Sequence, residues 1–367
     1  RLDAAAFAET AALDGRLGEQ AERAIRHYLP YDAEFVTPID LAAAQSQATF
    51  DNNGNVNGYR VPVHYRYHFQ IANLNIGILF VLAVLSLAVY GVVIGGWASD
   101  NKYSFLGGLR ATANMISYEI PLGMSALIVV ILFGTLDLAL LVDRQADYWF
   151  GVIPAWNMFA QPLAFLLFLV CIHAEANRAP FDMAEAEQEL VGGYHTEYSS
   201  MRFALFFLAE YAGMVTTALV LAALFWGGPH VPYLDWVIQG VFQTRPEGAP
   251  ASVTTSLIEC IFRSGVIFGK AVLVLFIFMW VRWSLPRFRF DQLMQIAWKG
   301  LIPIMLVLIV STTLLVYYFG VTGRPTVDGL DSVHAVAFLG LNVVVTAVIV
   351  IGSFVIPAGA NQPARVA

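Results

Sequence analysis

Seven stretches of about 20 residues, each able to cross a bilayer as a helix, decide what this chain can become. They are Leu74–Trp97, Ala113–Leu136, Val152–Ala174, Phe203–Trp226, Ser264–Val281, Gly300–Gly320 and His334–Ile356. Four carry no formal charge, and the other three carry one each: Glu119, Glu210 and Lys270. Only 13% of the residues are charged, against roughly 25% in a soluble domain. The alternating pattern of a membrane β-barrel is absent, so the expected fold is all-α. It is a polytopic transmembrane helical bundle of about seven spans over 74–357, with a polar extramembrane segment at 1–73 and a short polar tail at 358–367.

In residues 1–73, nine acidic and six basic side chains make a polar region with no chemistry to read. "LDAAAFAETAALDGRLGEQAERAIRHYL" is expected to form one helix, and "TFDNNGNVNGYRVPVHYRYHF" a hairpin around Asn-Gly turns. No basic-then-apolar leader is visible. The chain opens on Arg1, as a fragment or a processed product does. Two cysteines, Cys171 and Cys260, are too few for an iron–sulfur cluster or structural zinc.

Seven spans put the termini on opposite sides. Loops 98–112, 175–202, 282–299 and 358–367 hold nine Lys or Arg, and loops 137–151, 227–263 and 321–333 hold four. The positive-inside rule then places the first set, and the C-terminus, inside.

One inner loop is strongly acidic. "RAPFDMAEAEQELVGGYHTEY" (178–198) holds Asp182, Glu185, Glu187, Glu189 and Glu197 against one arginine. With Pro180 in a first helical turn, Asp182, Glu185 and Glu189 would share one face and Glu187 would point away. Carboxylates so packed repel, and clusters of this kind can hold and release protons near neutral pH. The segment "RWSLPRFRFDQLMQIAWKG" (282–300), with four basic side chains against Asp291, lies on the same side; the two are able to form a neutralised cap or to stand as separate solvated loops. A lone charge in the bilayer costs about 2.5–3.5 kcal/mol. Glu119, Glu210 and Lys270 are therefore expected to face the bundle interior, either as structural residues paired with a neighbour or snorkelling near a helix end, or as part of a polar track. His173 and His195 bracket the acidic loop without a second ligand set, so no metal site is expected.

"EANRAPFDMAEAEQELVGGYHTEY" with "FALFFLAEY", "LNIGILFVLAVLSLAVYGVVIGGWASDNKYSFLGGLRATANMISYEI" and "RWSLPRFRFDQLMQIAWKGLIP" resemble, in this order, blocks of one family. It is that of the H subunit of bacterial NADH-quinone oxidoreductase (respiratory complex I) and of mitochondrial NADH dehydrogenase subunit 1. The resemblance spans roughly residues 73–320, with Glu175-Ala176-Asn177-Arg178 where the family usually has Glu-Thr-Asn-Arg. It implies a protein of the bacterial inner membrane that forms part of a quinone-binding chamber and couples quinone reduction to proton translocation. FMN and iron–sulfur clusters would lie in partner subunits, with quinone as the substrate and no cofactor bound by this chain. Its partners would be the hydrophilic quinone-site subunits, the membrane-arm subunits, lipid and quinone, with no nucleic acid.

The positions matching the family's acidic track are Glu119, Glu175, Asp182, Glu185, Glu187, Glu189 and Glu210; Arg178, Arg287, Arg289 and Asp291 match its facing loops, and Lys270 is added from its place in a span. The family opens with two further transmembrane helices and a surface helix that are not found here. The seven spans would correspond to its third onward, and another chain would supply the missing wall unless the sequence is truncated. A membrane subunit of an energy-converting hydrogenase shares the acidic loop, and a stand-alone ion transporter would need no quinone; "WASDNKYSFLGGLR" and "GYHTEY" favour the quinone enzyme.

The orientation predicts that Ser199→Cys is labelled by a membrane-impermeant thiol reagent only in inverted vesicles, and Ala249→Cys only from the outside. The opposite labelling would overturn it.

Overall fold

The computed structural model describes residues 34–35, 48–50, 56–59, 65–66, 74–183, 192–232, 253–322 and 330–355. The chain divides into two compact units, 1–73 and 74–367. In the first, β1 (Glu34–Phe35) pairs antiparallel with β4 (Tyr65–Arg66), and β2 (Ala48–Phe50) with β3 (Val56–Tyr59). The hairpin expected around the Asn-Gly turns is the β2–β3 pair; the helix expected at its N-terminal side lies outside the described residues.

The second unit is a helical bundle. Its helices are α1 (Gly77–Ala98), α2 (Lys102–Phe133), α3 (Leu138–Asp143), α4 (Asn157–Ala160), α5 (Pro162–Glu175) and α6 (Ser200–Phe225). They are followed by α7 (Val253–Ser284), α8 (Phe290–Gln295), α9 (Ile302–Val321) and α10 (Ser332–Val355). A π-helical turn, Ile296–Leu301, joins α8 to α9. Among the described residues, six helical stretches are long and apolar enough to cross a membrane, which makes the chain a multi-pass membrane protein. Large apolar side chains such as Leu79, Phe80, Leu87, Phe276 and Leu314 are exposed on their outer faces, as lipid contact requires.

The long helices overrun the hydrophobic runs. α2 has 32 residues, about 48 Å of helix against a hydrocarbon layer of about 30 Å. It begins at Lys102 because the Asn101 side chain accepts a hydrogen bond from the Tyr103 amide (3.0 Å), and it ends at Gly134, whose φ of 63° suits a left-handed cap. The expected inner loop 98–112 thus shrinks to a three-residue turn, and most of 282–299 is likewise helical.

The third expected span, Val152–Ala174, differs most. It is a two-stranded ribbon, β5 (Tyr148–Trp149) with β6 (Ile153–Pro154), then the four-residue α4, a break at Gln161, and the 14-residue α5. Pro154 and Pro162 each lack an amide donor, and Asn157 and Gln161 turn their side chains to other helices, so one continuous helix does not form. Irregular backbone at membrane depth is tolerated where protein surrounds it, and α5 is packed mainly against the buried α2.

Two sequence blocks distant in the chain meet at the end of the bundle where α1 stops. Ser104 Oγ donates to the Tyr194 carbonyl (2.5 Å), Tyr198 Oη to the Gly95 carbonyl (2.7 Å), and Asn101 Nδ2 to Glu197 Oε1 (2.6 Å). "GYHTEY" therefore docks on the α1–α2 turn. The docking needs glycine at 107, where a Cβ would lie 2.8 Å from the backbone carbon of Gly193. Gly107→Ala is expected to lower stability by about 1–3 kcal/mol, the usual penalty of overpacking. Gly123→Ala, with open space around it, should not. Thermal melting of the purified chain or its complex compares them.

Candidate functional site

The acidic loop begins where α5 ends. Asn177, with φ of 48°, takes the left-handed position after the helix, which Asn accepts better than most side chains. His173 Nε2 then meets the Ala179 carbonyl at 2.9 Å, the Phe181 amide donates to the Arg178 carbonyl (2.8 Å), and the Phe288 amide to the Pro180 carbonyl (3.3 Å). Phe181 is buried, with ring contacts to Tyr118, His173 and Phe288 at centroid distances of 5.3, 5.8 and 6.0 Å. Residues 178–183 are turns and extended chain, so the helix expected to start at Pro180 does not begin there. Glu185, Glu187 and Glu189 lie outside the described residues, and with them the shared acidic face.

Arg178 is the pivot of the site. It is 6% exposed, and its Nε lies 2.8 Å from Glu210 Oε1 on α6. The two form an ion pair. The guanidinium also sits 4.7 Å from the ring centre of Tyr211 and 6.0 Å from that of Phe207, a desolvated cation–π setting.

Three residues before it, Glu175 ends α5 with Oε2 buried and without a hydrogen-bond partner among the described residues. Glu119, half-buried on α2, is near enough to repel its charge. Asp182 forms an ion pair with Arg287, so the acidic and basic loops do meet. Arg289 and Asp291 are exposed where α8 starts; Asp291 in the first turn favours the helix dipole.

Lys270 belongs elsewhere. Its ammonium donates to the carbonyls of Trp226 (2.6 Å), Gly228 (2.8 Å) and His230 (2.6 Å), and lies 4.6 Å from the Trp156 ring centre. It closes the C-terminal end of α6, where carbonyls lack helical partners. Glu210 lies 16 residues before Trp226, about 24 Å along the helix. The two lone charges thus do not neutralise one another, and Lys270 stands apart from the carboxylate cluster.

Composition did not single out Asn114, fully buried on α2 with both amide atoms unpartnered among the described residues. Nor did it mark Tyr118, whose hydroxyl donates to the Leu293 carbonyl (3.1 Å). The only signal for either was its place within one or two turns of Glu119.

The site thus defines a class: a multi-pass membrane protein with buried and half-buried, partly ion-paired carboxylates gathered at one end of its bundle. The chain belongs to the NADH dehydrogenase family, whose model matches residues 56–313. That match begins inside the polar N-terminal segment, earlier than the resemblance read from the sequence, and ends before α10. Among its relatives, the H 1 subunit of the NADH-quinone oxidoreductase of Cytophaga hutchinsonii is 45% identical over 243 residues, covering 66% of this chain and 65% of that protein. The H subunit of the Flavobacterium johnsoniae enzyme is 43% identical over 243 residues (66% and 64%), and subunit 8 of the Rhodothermus marinus enzyme 44% over 234 (64% and 65%). The chain spans about two thirds of the length of these relatives.

Lys270→Met removes one ammonium from three carbonyls, each at a cost of about 1–3 kcal/mol if left dry, and should lower the melting temperature. Because the sites are separate, Glu210→Gln/Lys270→Met should equal the sum of the single variants within about 0.5 kcal/mol. A double variant more stable than Lys270→Met would show the charges to be paired after all.

Proposed function

We infer that the chain is a membrane subunit of a proton-translocating NADH:quinone oxidoreductase in a bacterial inner membrane. In this reading it lines part of the quinone chamber and couples quinone reduction to proton movement. Electrons reach the quinone through FMN and iron–sulfur clusters held by partner subunits; this chain supplies walls, charge and proton-holding groups. Family membership supports the assignment, and one observation carries the mechanism: the buried Arg178, held to Glu210 and three residues from Glu175, whose inner oxygen has no partner among the described residues.

Reduction of a quinone to a quinol takes up two electrons and two protons. Charge arriving before the protons is felt by fixed groups nearby, most strongly where the surroundings are of low dielectric. Arg178 is placed to respond, because it is desolvated and balanced by Glu210. Glu175 is the side chain placed to accept or yield a proton, with Glu119 as its neighbour across the α2–α5 contact. Glu185, Glu187 and Glu189 would continue the acidic track along the loop, with Asp182 tied to Arg287 at its edge. Arg289 and Asp291 would face the hydrophilic partner subunits on the inner side. The remaining wall of the chamber would come from outside the residues described.

Glu175→Gln removes the proton-holding group while keeping its shape. Quinone-linked NADH oxidation should fall about tenfold, equivalent to ~1.4 kcal/mol of barrier. Glu185→Gln and Glu189→Gln should act in the same direction. Oxidation of NADH by a hydrophilic artificial acceptor should persist, because that electron path lies in other subunits. An equal fall of both activities in a fully assembled complex would contradict the assignment.

A further inference from the structure

α10 lies beyond the residues that match the family, yet it is tied to the bundle by polar contacts that lipid packing does not require. The Trp149 indole donates to the Leu330 carbonyl (2.5 Å), and the Phe150 amide to Ser332 Oγ (3.2 Å). His334, 1% exposed, packs edge-on against Phe319. The decisive contact is Asn342, also 1% exposed. Its Nδ2 faces Gln161 Oε1 (2.7 Å), the Ala160 carbonyl (3.3 Å) and the Phe338 carbonyl of its own helix (2.8 Å), and its Oδ1 accepts from the Leu163 amide (3.3 Å).

These partners sit at the break in the third span. The first amides of a helix have no partner within it, and a side chain at the preceding position normally supplies one. Gln161 holds that position before α5 and makes no capping hydrogen bond. Asn342 makes it instead, from a different helix, while holding the Gln161 side chain and the last carbonyl of α4. α5 is only 14 residues long, and Glu175 is its last residue. A rigid rod fixed at its first turn is fixed in depth at its last.

The geometry points to Asn342 as a positioning residue: it caps α5 from α10 and so sets the depth at which Glu175 is held. The functional half of this inference rests on the role given to Glu175 above; the capping half does not.

Both halves are read on the full chain in its assembled complex. Amide hydrogen exchange of a peptide covering 161–175 should be severalfold faster near Leu163 in Asn342→Leu than in the parent. Asn342→Asp, which keeps an acceptor at the same place, should retain the protection. Quinone-linked NADH oxidation should fall severalfold in Asn342→Leu with a displaced pH profile, and Asn342→Leu should add no further loss to Glu175→Gln. If Asn342→Leu does not assemble, Asn342→Ala carries both measurements. Parent-like exchange near Leu163 would overturn the cap. Faster exchange with a parent-like pH profile, or an equal loss with and without Glu175→Gln, would overturn the positioning of Glu175. If Glu175→Gln itself leaves turnover at the parent level, the reading of the proton site falls, and faster exchange in Asn342→Leu still establishes the cap.

Discussion

α5 covers only about 21 Å of a hydrocarbon layer about 30 Å thick, and neither of its ends can rely on water for its backbone groups. Each end must be satisfied by protein. At the first turn, Asn342 and Gln161 do this across the break with α4. At the last, Asn177 turns the chain in a left-handed step and His173 meets the Ala179 carbonyl. The shortness of this helix brings polar chain inward, so that Glu175 at its last position and Arg178 in the loop that follows lie in a buried setting. α2 closes the other side, and its fully buried Tyr118 ties α5's surroundings to α8 through Leu293.

Charge is sorted along the bundle by the same economy. A buried unpaired ion is costly, and removing one member of a buried pair typically costs about 3–5 kcal/mol. The structure answers with local partners at two levels. Lys270 finds carbonyls at the C-terminal end of α6, whereas Glu210, nearer the other end of that helix, holds Arg178. Glu175 is less well provided for, since one of its oxygens is buried with no partner among the described residues.

The spans were readable because membrane burial demands long apolar runs, and six of the seven overlap helices of membrane-crossing length. The ends were less readable: α2 begins well before its apolar run, where the Asn101 side chain caps it, and α7 also starts before its own. The broken third span was hidden for a related reason. Asn157 and Gln161 are uncharged, so a count of charges passes over them, although their side chains reach other helices. The carboxylates of the site were visible as lone or clustered charges. Their partners were less so, because Lys270 bonds to backbone carbonyls, which every residue possesses, and because the depth of a charge depends on helix offset. Asn342 carries no charge and stands in an apolar run, so nothing local marked it.

The central claim is that this chain works inside an NADH-oxidising, quinone-reducing complex. Purification through a tag on the full chain, in mild detergent from native membranes, tests it most directly. The account predicts co-purifying flavin and iron–sulfur signals together with NADH–quinone activity. Recovery with a nickel hydrogenase, or of the chain alone from intact membranes, would contradict it.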